Sequence, residues 1–555
     1  MSTTSPLATG AHAAAVVPRR GRDSWWVVVL TVVGFGLRMA TINTRGLWLD
    51  EGATIEQTTS SVWDTIQSVV GGTHPPLFHI LMNFWIGAFG TGEVAVKSFA
   101  LVFGVAAIPV AYWAGARLWD RRTGLVAAAL LTFSPYHIWY SQEARMYSML
   151  MFFGLLSVAF FALAVDRNDS RSWVGYTIAS LLGAFTHYFF LFLIVGEVAY
   201  FLVVEVFIRG SGQRRGGQRT ASLRRPWRIF ADMPGLGPWL ASNTVLVTTV
   251  TAWLYWAVWL PSHGANSPLI KSITAGSGGL GYGQVAASFA IRFNDVGQML
   301  VEMIAGFHPA WTMYALVAMW PLLISLAMVL VDVVGPMKRV TAVAVFSCIG
   351  FPLIWALGQW QGQVLASRYA MALAAPALLL IARVLAASNK RLGKALISLV
   401  VVLSLVAWAD QSFDPNNTMR YDNRAAIEFV AEQYRPGDVI IYEPFYMDVL
   451  TDYYLPKTIP AFAFPLYGEN AGLRNGKVQL GQDLDRVARQ SDRVYLILSF
   501  QNIAQLRGDA YNTTMWFLRN GFTTTQDVQL SQVQVLRFDR TPVPTSTPAP
   551  EASTP

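Results

Sequence analysis

The sequence predicts an all-α polytopic membrane domain of about eleven transmembrane helices, followed by a small C-terminal α/β soluble domain. Of the 555 residues, 54% are hydrophobic and only 13% are charged, whereas a soluble protein has roughly 25% charged residues. Apolar runs near the ~20 residues that cross a bilayer recur between Ser24 and Asp410. After Asp410 the composition becomes that of a soluble protein, so the chain divides into two regions.

The lysines and arginines orient the predicted helices across the membrane. They cluster at the N-terminus and in five loops, at 117–122, 167–171, 209–228, 338–339 and 390–394. Such clusters are typical of the cytoplasmic side. All of these loops fall on one face if the spans are 24–42, 94–116, 125–140, 147–165, 173–188, 190–208, 238–260, 311–331, 341–356, 369–384 and 395–408. The net charge of +8 is thereby explained by topology, and we expect no nucleic-acid partner.

The same topology divides the chain into four parts. These are a cytoplasmic N-terminal segment 1–23, a membrane domain 24–410, a soluble non-cytoplasmic domain 411–540, and a disordered tail 541–555 rich in proline, serine and threonine. The first non-cytoplasmic loop, 43–93, contains an apolar segment that follows Pro75 and Pro76. Because this segment is short for a span, we expect an interfacial or re-entrant helix there.

The soluble domain has the residue pattern of a small α/β fold. Hydrophobic periodicity and turn residues predict a helix at 424–433 and strands at 439–442 and 493–500. The single cysteine, Cys348, lies in an apolar span and excludes an intrachain disulfide.

Acidic residues that lie beside membrane spans are candidate functional residues, because a charge near the bilayer is costly. Asp50 and Glu51 follow the first predicted span, and Glu93 directly precedes the second. The loop 141–146 carries Glu143 and Arg145, and topology places it on the same face. The alternative for the Asp50–Glu51 pair is an ordinary solvated loop.

These motifs occur in a characteristic order. An Asp-Glu pair after the first span is followed by His-Pro-Pro-Leu at 74–77, by Glu93, and by Ser-Pro-x-x-x-x-x-Ser-x-Glu-Ala-Arg-Met-Tyr from Ser134 to Tyr147. This order resembles the family of dolichyl-phosphate-mannose protein mannosyltransferases and bacterial aminoarabinose lipid A transferases. The resemblance is close over residues 47–187 and extends to the rest only in layout. One departure is Lys97, which stands where many relatives have arginine.

The resemblance implies a C-type (GT-C) fold and an inverting glycosyltransferase, which moves a hexosyl or pentosyl group from a polyprenyl-phosphate carrier to a protein, lipid or polysaccharide acceptor. It implies that Asp50 is the catalytic base and that Glu51 supports it. Transfer also needs a cation beside the departing phosphate. Arg145, Arg368 and Lys97 are candidates for that role; the alternative for both arginines is snorkelling to the membrane interface.

The remaining expected substrate-binding residues flank these groups: His74, Glu93, Glu143, Tyr147, His187 and Tyr369. His74 is a candidate to orient the acceptor or ligate a metal, although a structural histidine beside prolines is the simpler interpretation. His187 ends the fifth predicted span, where helix-end packing is the alternative. Some relatives use a divalent metal ion. The sequence has no paired histidine ligands, so it does not show whether this protein uses a metal, and no cofactor is certain.

Two other functional classes fit the composition. A transporter or lipid flippase would also have many spans, but it would place charges near span centres, whereas here they lie in loops on one face. A scaffold that binds another protein through the outer domain is the second alternative. Neither explains the ordered motifs. We therefore expect a multi-pass enzyme of the cell envelope, in the plasma membrane if the cell is prokaryotic, with its active site on the non-cytoplasmic face.

Overall fold

The computed structural model describes residues 20–70, 74–209, 235–260, 339–354, 367–414, 421–443, 447–463, 484, 491–499 and 504–541. The predicted span at 311–331 and most of the predicted basic loop at 209–228 lie outside the described residues.

In the part that corresponds to the membrane domain, the described regular elements are all helices. Its helices are α1 (Arg20–Ala40), α2 (Leu49–Thr58), α3 (Val62–Val69), α4 (Leu77–Phe89), α5 (Glu93–Leu118), α6 (Arg121–Phe133), α7 (Pro135–Ser141), α8 (Tyr147–Arg167), α9 (Ser170–Thr186), α10 (Leu191–Tyr200), α11 (Leu236–Leu254), α12 (Arg339–Ser347), α13 (Met371–Ala387) and α14 (Lys390–Phe413). Short 3-10 or π segments adjoin several of them: Tyr188–Phe190, Phe201–Arg209, Tyr255–Trp259 and Ser367–Ala370.

Within the described residues, five helices are long and apolar enough to cross a membrane. They are Glu93–Leu118, Tyr147–Arg167, Tyr188–Ile208, Arg368–Ala387 and Arg391–Phe413. Three shorter apolar helices accompany them: Ser24–Ala40, Leu77–Phe89 and Val340–Ile354. The chain is thus an integral membrane protein, while the count of eleven spans stays a prediction. The helix expected after Pro76 is confirmed as α4, and its position at the interface stays a prediction.

Burial and polar contacts show how the helices pack. The helix α8 lies at the centre of the bundle, since 83% of its most apolar stretch is buried, against 22% for α14. The buried guanidinium of Arg38 on α1 donates to the carbonyl oxygen of Thr132 on α6 at 3.3 Å and lies 2.7 Å from Nδ1 of His137 on α7. Because each unpaired polar group is costly in lipid, these contacts hold α1 against α6 and α7.

The C-terminal domain contains a five-stranded sheet. Its elements are α15 (Asn423–Gln433), β1 (Val439–Glu443), α16 (Asp448–Tyr454), β2 (Ala461–Ala463), β3 (Arg493–Ser499), α17 (Ala504–Arg519), β4 (Phe522–Leu530) and β5 (Val533–Arg540). The strand order is β2-β1-β3-β5-β4, in which β2, β1 and β3 are parallel and β5 is antiparallel to β3 and β4. The predicted helix and both predicted strands are confirmed. Parallel strands are buried on both faces, which agrees with the fully buried strand β1.

Candidate active site

The helix α2 presents the Asp50–Glu51 pair in its first turn, where a carboxylate is favoured by the helix dipole. The two side chains have different surroundings. Asp50 is partly exposed, whereas only 2% of Glu51 is exposed. The Oε2 atom of Glu51 accepts a hydrogen bond from the backbone N–H of Trp48 at 3.0 Å, which caps the helix.

The other oxygen of Glu51 joins two loops that are distant in the sequence. Its Oε1 atom accepts a hydrogen bond from the backbone N–H of Ala144 at 2.7 Å. Ala144 lies between Glu143 and Arg145 in the loop that connects α7 to α8. Both carboxylate oxygens of Glu51 are therefore occupied by backbone groups, and the carboxylate fixes the position of one loop against the other.

Arg145 makes a second connection between these loops. Its Nη1 atom donates to Oγ1 of Thr54 at 2.9 Å and to the carbonyl oxygen of Asp50 at 3.4 Å. Its Nη2 atom lies 3.2 Å from Nε2 of His74. Because a guanidinium can only donate, His74 accepts through Nε2 and is neutral. Burial, followed by the charges of Arg145 and His187, lowers the pKa of His74 to about 2, which agrees with that state.

Arg368 approaches the same region from the segment that precedes α13. Its guanidinium carbon lies 5.0 Å from the ring centre of Trp48 and 5.4 Å from that of Tyr369, which are cation–π distances. The Nε atom of Arg368 is buried and has no hydrogen-bond partner. Stacking thus holds the plane of the guanidinium while leaving donors available.

Aromatic side chains form a wall beside the two arginines. The ring of His187 lies 5.4 Å from that of His74 and 5.7 Å from that of Tyr369. Tyr369 in turn stacks on Phe189 at 5.2 Å. The structure thus brings together His74, His187 and Tyr369, which the sequence predicted separately.

Glu143 is a buried carboxyl group that interacts electrostatically with Glu51, Arg368 and Asp50. Only 4% of its side chain is exposed, and its Oε2 atom has no hydrogen-bond partner. Burial and the nearby charge of Glu51 raise the pKa of Glu143 to about 7. Tyr147, the first residue of α8, is also buried and packs its ring 5.1 Å from that of Tyr140.

Glu93 and Lys97 are engaged elsewhere. The Nζ atom of Lys97 donates to the carbonyl oxygen of Arg45 at 2.6 Å and lies 3.6 Å from Glu93. Glu93 also accepts hydrogen bonds from Arg424 and Tyr454 of the C-terminal domain. Among the described residues, no group of three or more His, Cys, Asp or Glu side chains is arranged to hold a metal ion.

The sequence interpretation missed Trp48 and Thr54. Thr54 lies one helical turn after Asp50 and therefore on the same face of α2, so its spacing was a usable signal once the helix was placed. Trp48 had no comparable signal, because a tryptophan beside a span is usually an interfacial residue.

Residues 73–215 of the chain match the family model of dolichyl-phosphate-mannose-protein mannosyltransferase. This confirms the resemblance that the ordered motifs indicated. The matched stretch contains His74, Arg145 and His187 but begins after Asp50. No curated protein matches the chain.

Solved structures share the fold over most of the chain. The crystal structure of ArnT from Cupriavidus metallidurans in the apo state has a TM-score of 0.56 and 13% identity, covering 93% of this chain and 98% of that chain. The same protein bound to undecaprenyl phosphate gives 0.55 and 14% over the same shares. The oligosaccharyltransferase of Archaeoglobus fulgidus in the apo form gives 0.50 and 12%, covering 90% of this chain and 71% of that chain. The chain therefore has an ArnT-like fold.

Proposed function

We propose that the protein is an inverting membrane glycosyltransferase that moves a sugar from a polyprenyl-phosphate carrier to a protein, lipid or polysaccharide acceptor. The observation that carries this proposal is the junction of two loops by Glu51 and Arg145. It brings the partly exposed carboxylate of Asp50 and the guanidinium of Arg145 into one region. A base and a cation that are close together are what sugar transfer from a phosphate requires.

In this mechanism Asp50 is the general base. Its carboxylate accepts the proton from an acceptor hydroxyl while that oxygen attacks the anomeric carbon. The bond between the anomeric carbon and the phosphate oxygen breaks on the opposite side, so the configuration inverts. The electron pair leaves with the carrier phosphate, and the proton stays on Asp50 until solvent removes it.

Arg145 and Arg368 are the residues that we assign to the departing phosphate. Within the described residues, their contacts are to hydroxyl, carbonyl, imidazole and aromatic groups, and neither guanidinium forms an ion pair. A planar cation without a carboxylate partner suits a phosphate, to which it can donate two parallel hydrogen bonds. The ArnT-like fold supports the assignment, because ArnT has been crystallised with undecaprenyl phosphate.

The other site residues have supporting roles in this proposal. His74 and His187, with Tyr369, form the wall against which the sugar or acceptor lies, while Glu143 and Tyr147 are buried groups beside Arg368. The distribution of lysine and arginine supports a position of the site and the C-terminal domain on the non-cytoplasmic face, which in a prokaryote is the outer face of the plasma membrane.

Purified protein in lipid nanodiscs, supplied with a panel of polyprenyl-phosphate sugars, tests the proposal. We expect release of the sugar from one of these donors, and Asp50→Asn should lower the rate by about 10²- to 10⁴-fold, the usual contribution of a general base. Asp64→Asn is the matched control, since Asp64 lies in the first turn of the neighbouring helix α3, accepts a hydrogen bond from the Ser61 hydroxyl and has no described contact with the site. A loss below roughly tenfold for Asp50→Asn would mean that Asp50 is not the base. Movement of the intact carrier across the bilayer without cleavage would favour a flippase.

A further inference from the structure

The segment 43–47, which leads from α1 into the Asp50 helix, is held by side chains of the C-terminal domain. Arg424 on α15 donates from Nη2 to the carbonyl oxygen of Asn43 at 3.2 Å. The hydroxyl of Tyr454, at the end of α16, accepts a hydrogen bond from the backbone N–H of Leu47 at 2.6 Å. The two contacts fix both ends of the segment.

The carboxylate of Glu93 connects these contacts. The Tyr454 hydroxyl donates to Oε1 of Glu93 at 2.6 Å, and Nη1 of Arg424 lies 3.1 Å from Oε2. Lys97, 3.6 Å from the same carboxylate, donates to the carbonyl oxygen of Arg45 in the middle of the segment. Arg424, Lys97 and Tyr454 thus each connect Glu93 to one backbone group of the segment. These backbone groups belong to Asn43, Arg45 and Leu47, which are every second residue.

The Tyr454 hydroxyl can fill both of its bonds at once, because it has one proton and accepts through its lone pairs. Burial, together with the hydrogen bond to Glu93, raises the pKa of Tyr454. The phenol therefore keeps the proton that it donates to the carboxylate, while its oxygen remains the acceptor for Leu47.

Two glycines allow the C-terminal domain to approach this closely. A Cβ atom at Gly46 would lie 2.7 Å from Cβ of Arg424, and one at Gly52 would lie 3.0 Å from Cδ2 of Leu450. Both distances are shorter than ordinary van der Waals contact. Gly46 lies within the held segment and Gly52 lies on α2 beside Glu51, so the contact surface reaches the first turn of the Asp50 helix.

We infer that the C-terminal domain completes the active site: Tyr454 and Arg424, each bound to Glu93, are positioning residues that act on the segment leading to Asp50 through their direct contacts with its backbone. The consequence for catalysis rests on the proposed function, whereas the consequence for the order of the segment does not. The domain is thus part of the catalytic unit, beyond any role in binding a partner.

Hydrogen exchange of the full-length protein in nanodiscs tests the positioning role without any substrate. Tyr454→Phe removes only the hydroxyl, and we expect amides of the segment 47–58 to exchange roughly three- to tenfold faster, as the loss of a hydrogen bond predicts. Tyr453→Phe is the matched control, since the Tyr453 hydroxyl contacts the backbone of Thr91, at 3.0 Å, and of Glu93, and has no described hydrogen bond to the segment 43–47. Exchange that is unchanged in Tyr454→Phe, or equally faster in Tyr453→Phe, would overturn the inference.

Kinetics separate positioning from stability. In Tyr454→Phe we expect kcat per folded molecule to fall about tenfold while KM for the carrier changes by less than about twofold, because the base is displaced and the phosphate contacts are not. Loss of folded protein with an unchanged kcat would show a structural role only and would contradict the inference. If Tyr454→Phe does not accumulate, Arg424→Gln is measured in the same way, with the same two decisive outcomes. A wild-type protein without transferase activity would refute the proposed function and leave the exchange result to decide this inference alone.

Discussion

Replacement of Glu51 by glutamine tests whether Glu51 fixes the loops while Asp50 is the base, as we propose. Glu51 accepts two backbone hydrogen bonds, from Trp48 at 3.0 Å and from Ala144 at 2.7 Å. A glutamine has one acceptor oxygen, so one N–H loses its partner and faces the amide NH₂ group instead. Hydrogen bonds to a charged group are worth about 1.5 to 3 kcal/mol, so the joined arrangement of the loops becomes roughly 10- to 150-fold less favoured.

We expect kcat/KM for the carrier-linked sugar to fall by about tenfold in Glu51→Gln, and by less than in Asp50→Asn, because part of the ordering free energy comes from Arg145 and remains. The measurement is the initial rate of sugar transfer in nanodiscs. Glu56→Gln is the matched control, since Glu56 lies on the exposed face of the same helix. A Glu51→Gln enzyme with wild-type kcat/KM, or one as inactive as Asp50→Asn, would refute the division of roles.

Three further predictions concern the phosphate contacts, Glu143 and the topology. Arg145→Lys and Arg368→Lys should each weaken use of the carrier by roughly tenfold or more, with little change in preference among sugars, because lysine cannot make the bidentate contact; wild-type turnover and affinity in both would mean that they are interface anchors. The pKa of about 7 for Glu143 means that the folded state keeps a proton that the unfolded state has released above about pH 4.5. The free energy of unfolding should therefore fall by about 3 kcal/mol as pH rises from about 4.5 to about 7. The melting temperature should fall over the same range, and by less in Glu143→Gln; the same dependence of melting temperature on pH in both proteins would contradict the raised pKa. A cysteine introduced at Gln213 should not react with an impermeant reagent outside intact cells, and labelling there would reverse the predicted orientation.

The alternation of basic and non-basic loops between the predicted spans, together with the order of the motifs, predicts which side chains lie near one another. An even number of predicted spans separates the loops of Asp50 and Arg145, which predicts that both lie on one face, and Arg145 Nη1 lies 3.4 Å from the Asp50 carbonyl oxygen. The helix α4 was predicted from apolar length and its two prolines. Such features depend on local sequence or on the number of spans, so they can be predicted without knowledge of the tertiary packing.

The partners of Glu93 could not be predicted in this way. Arg424 and Tyr454 lie 331 and 361 residues further along the chain, in a domain with a different residue pattern. No periodicity or charge parity relates them to Glu93, and the contact depends on the packing of α15 and α16. The same holds for Lys97. A lysine beside a span is usually interpreted as lying at the membrane interface, and its hydrogen bond to the carbonyl oxygen of Arg45 cannot be predicted from the sequence.

The assignment of the base among three neighbouring carboxyl groups follows from their surroundings, as it does wherever one site gives similar groups different roles. A general base must be ionised and must reach the acceptor. Both oxygens of Glu51 are occupied by backbone N–H groups, so a proton taken there would break the contact between the loops. Glu143 is buried, and its pKa of about 7 leaves much of it protonated at neutral pH. Asp50 combines a partly exposed side chain with a backbone fixed by Arg145 and Thr54, and these surroundings favour it as the group that receives the proton.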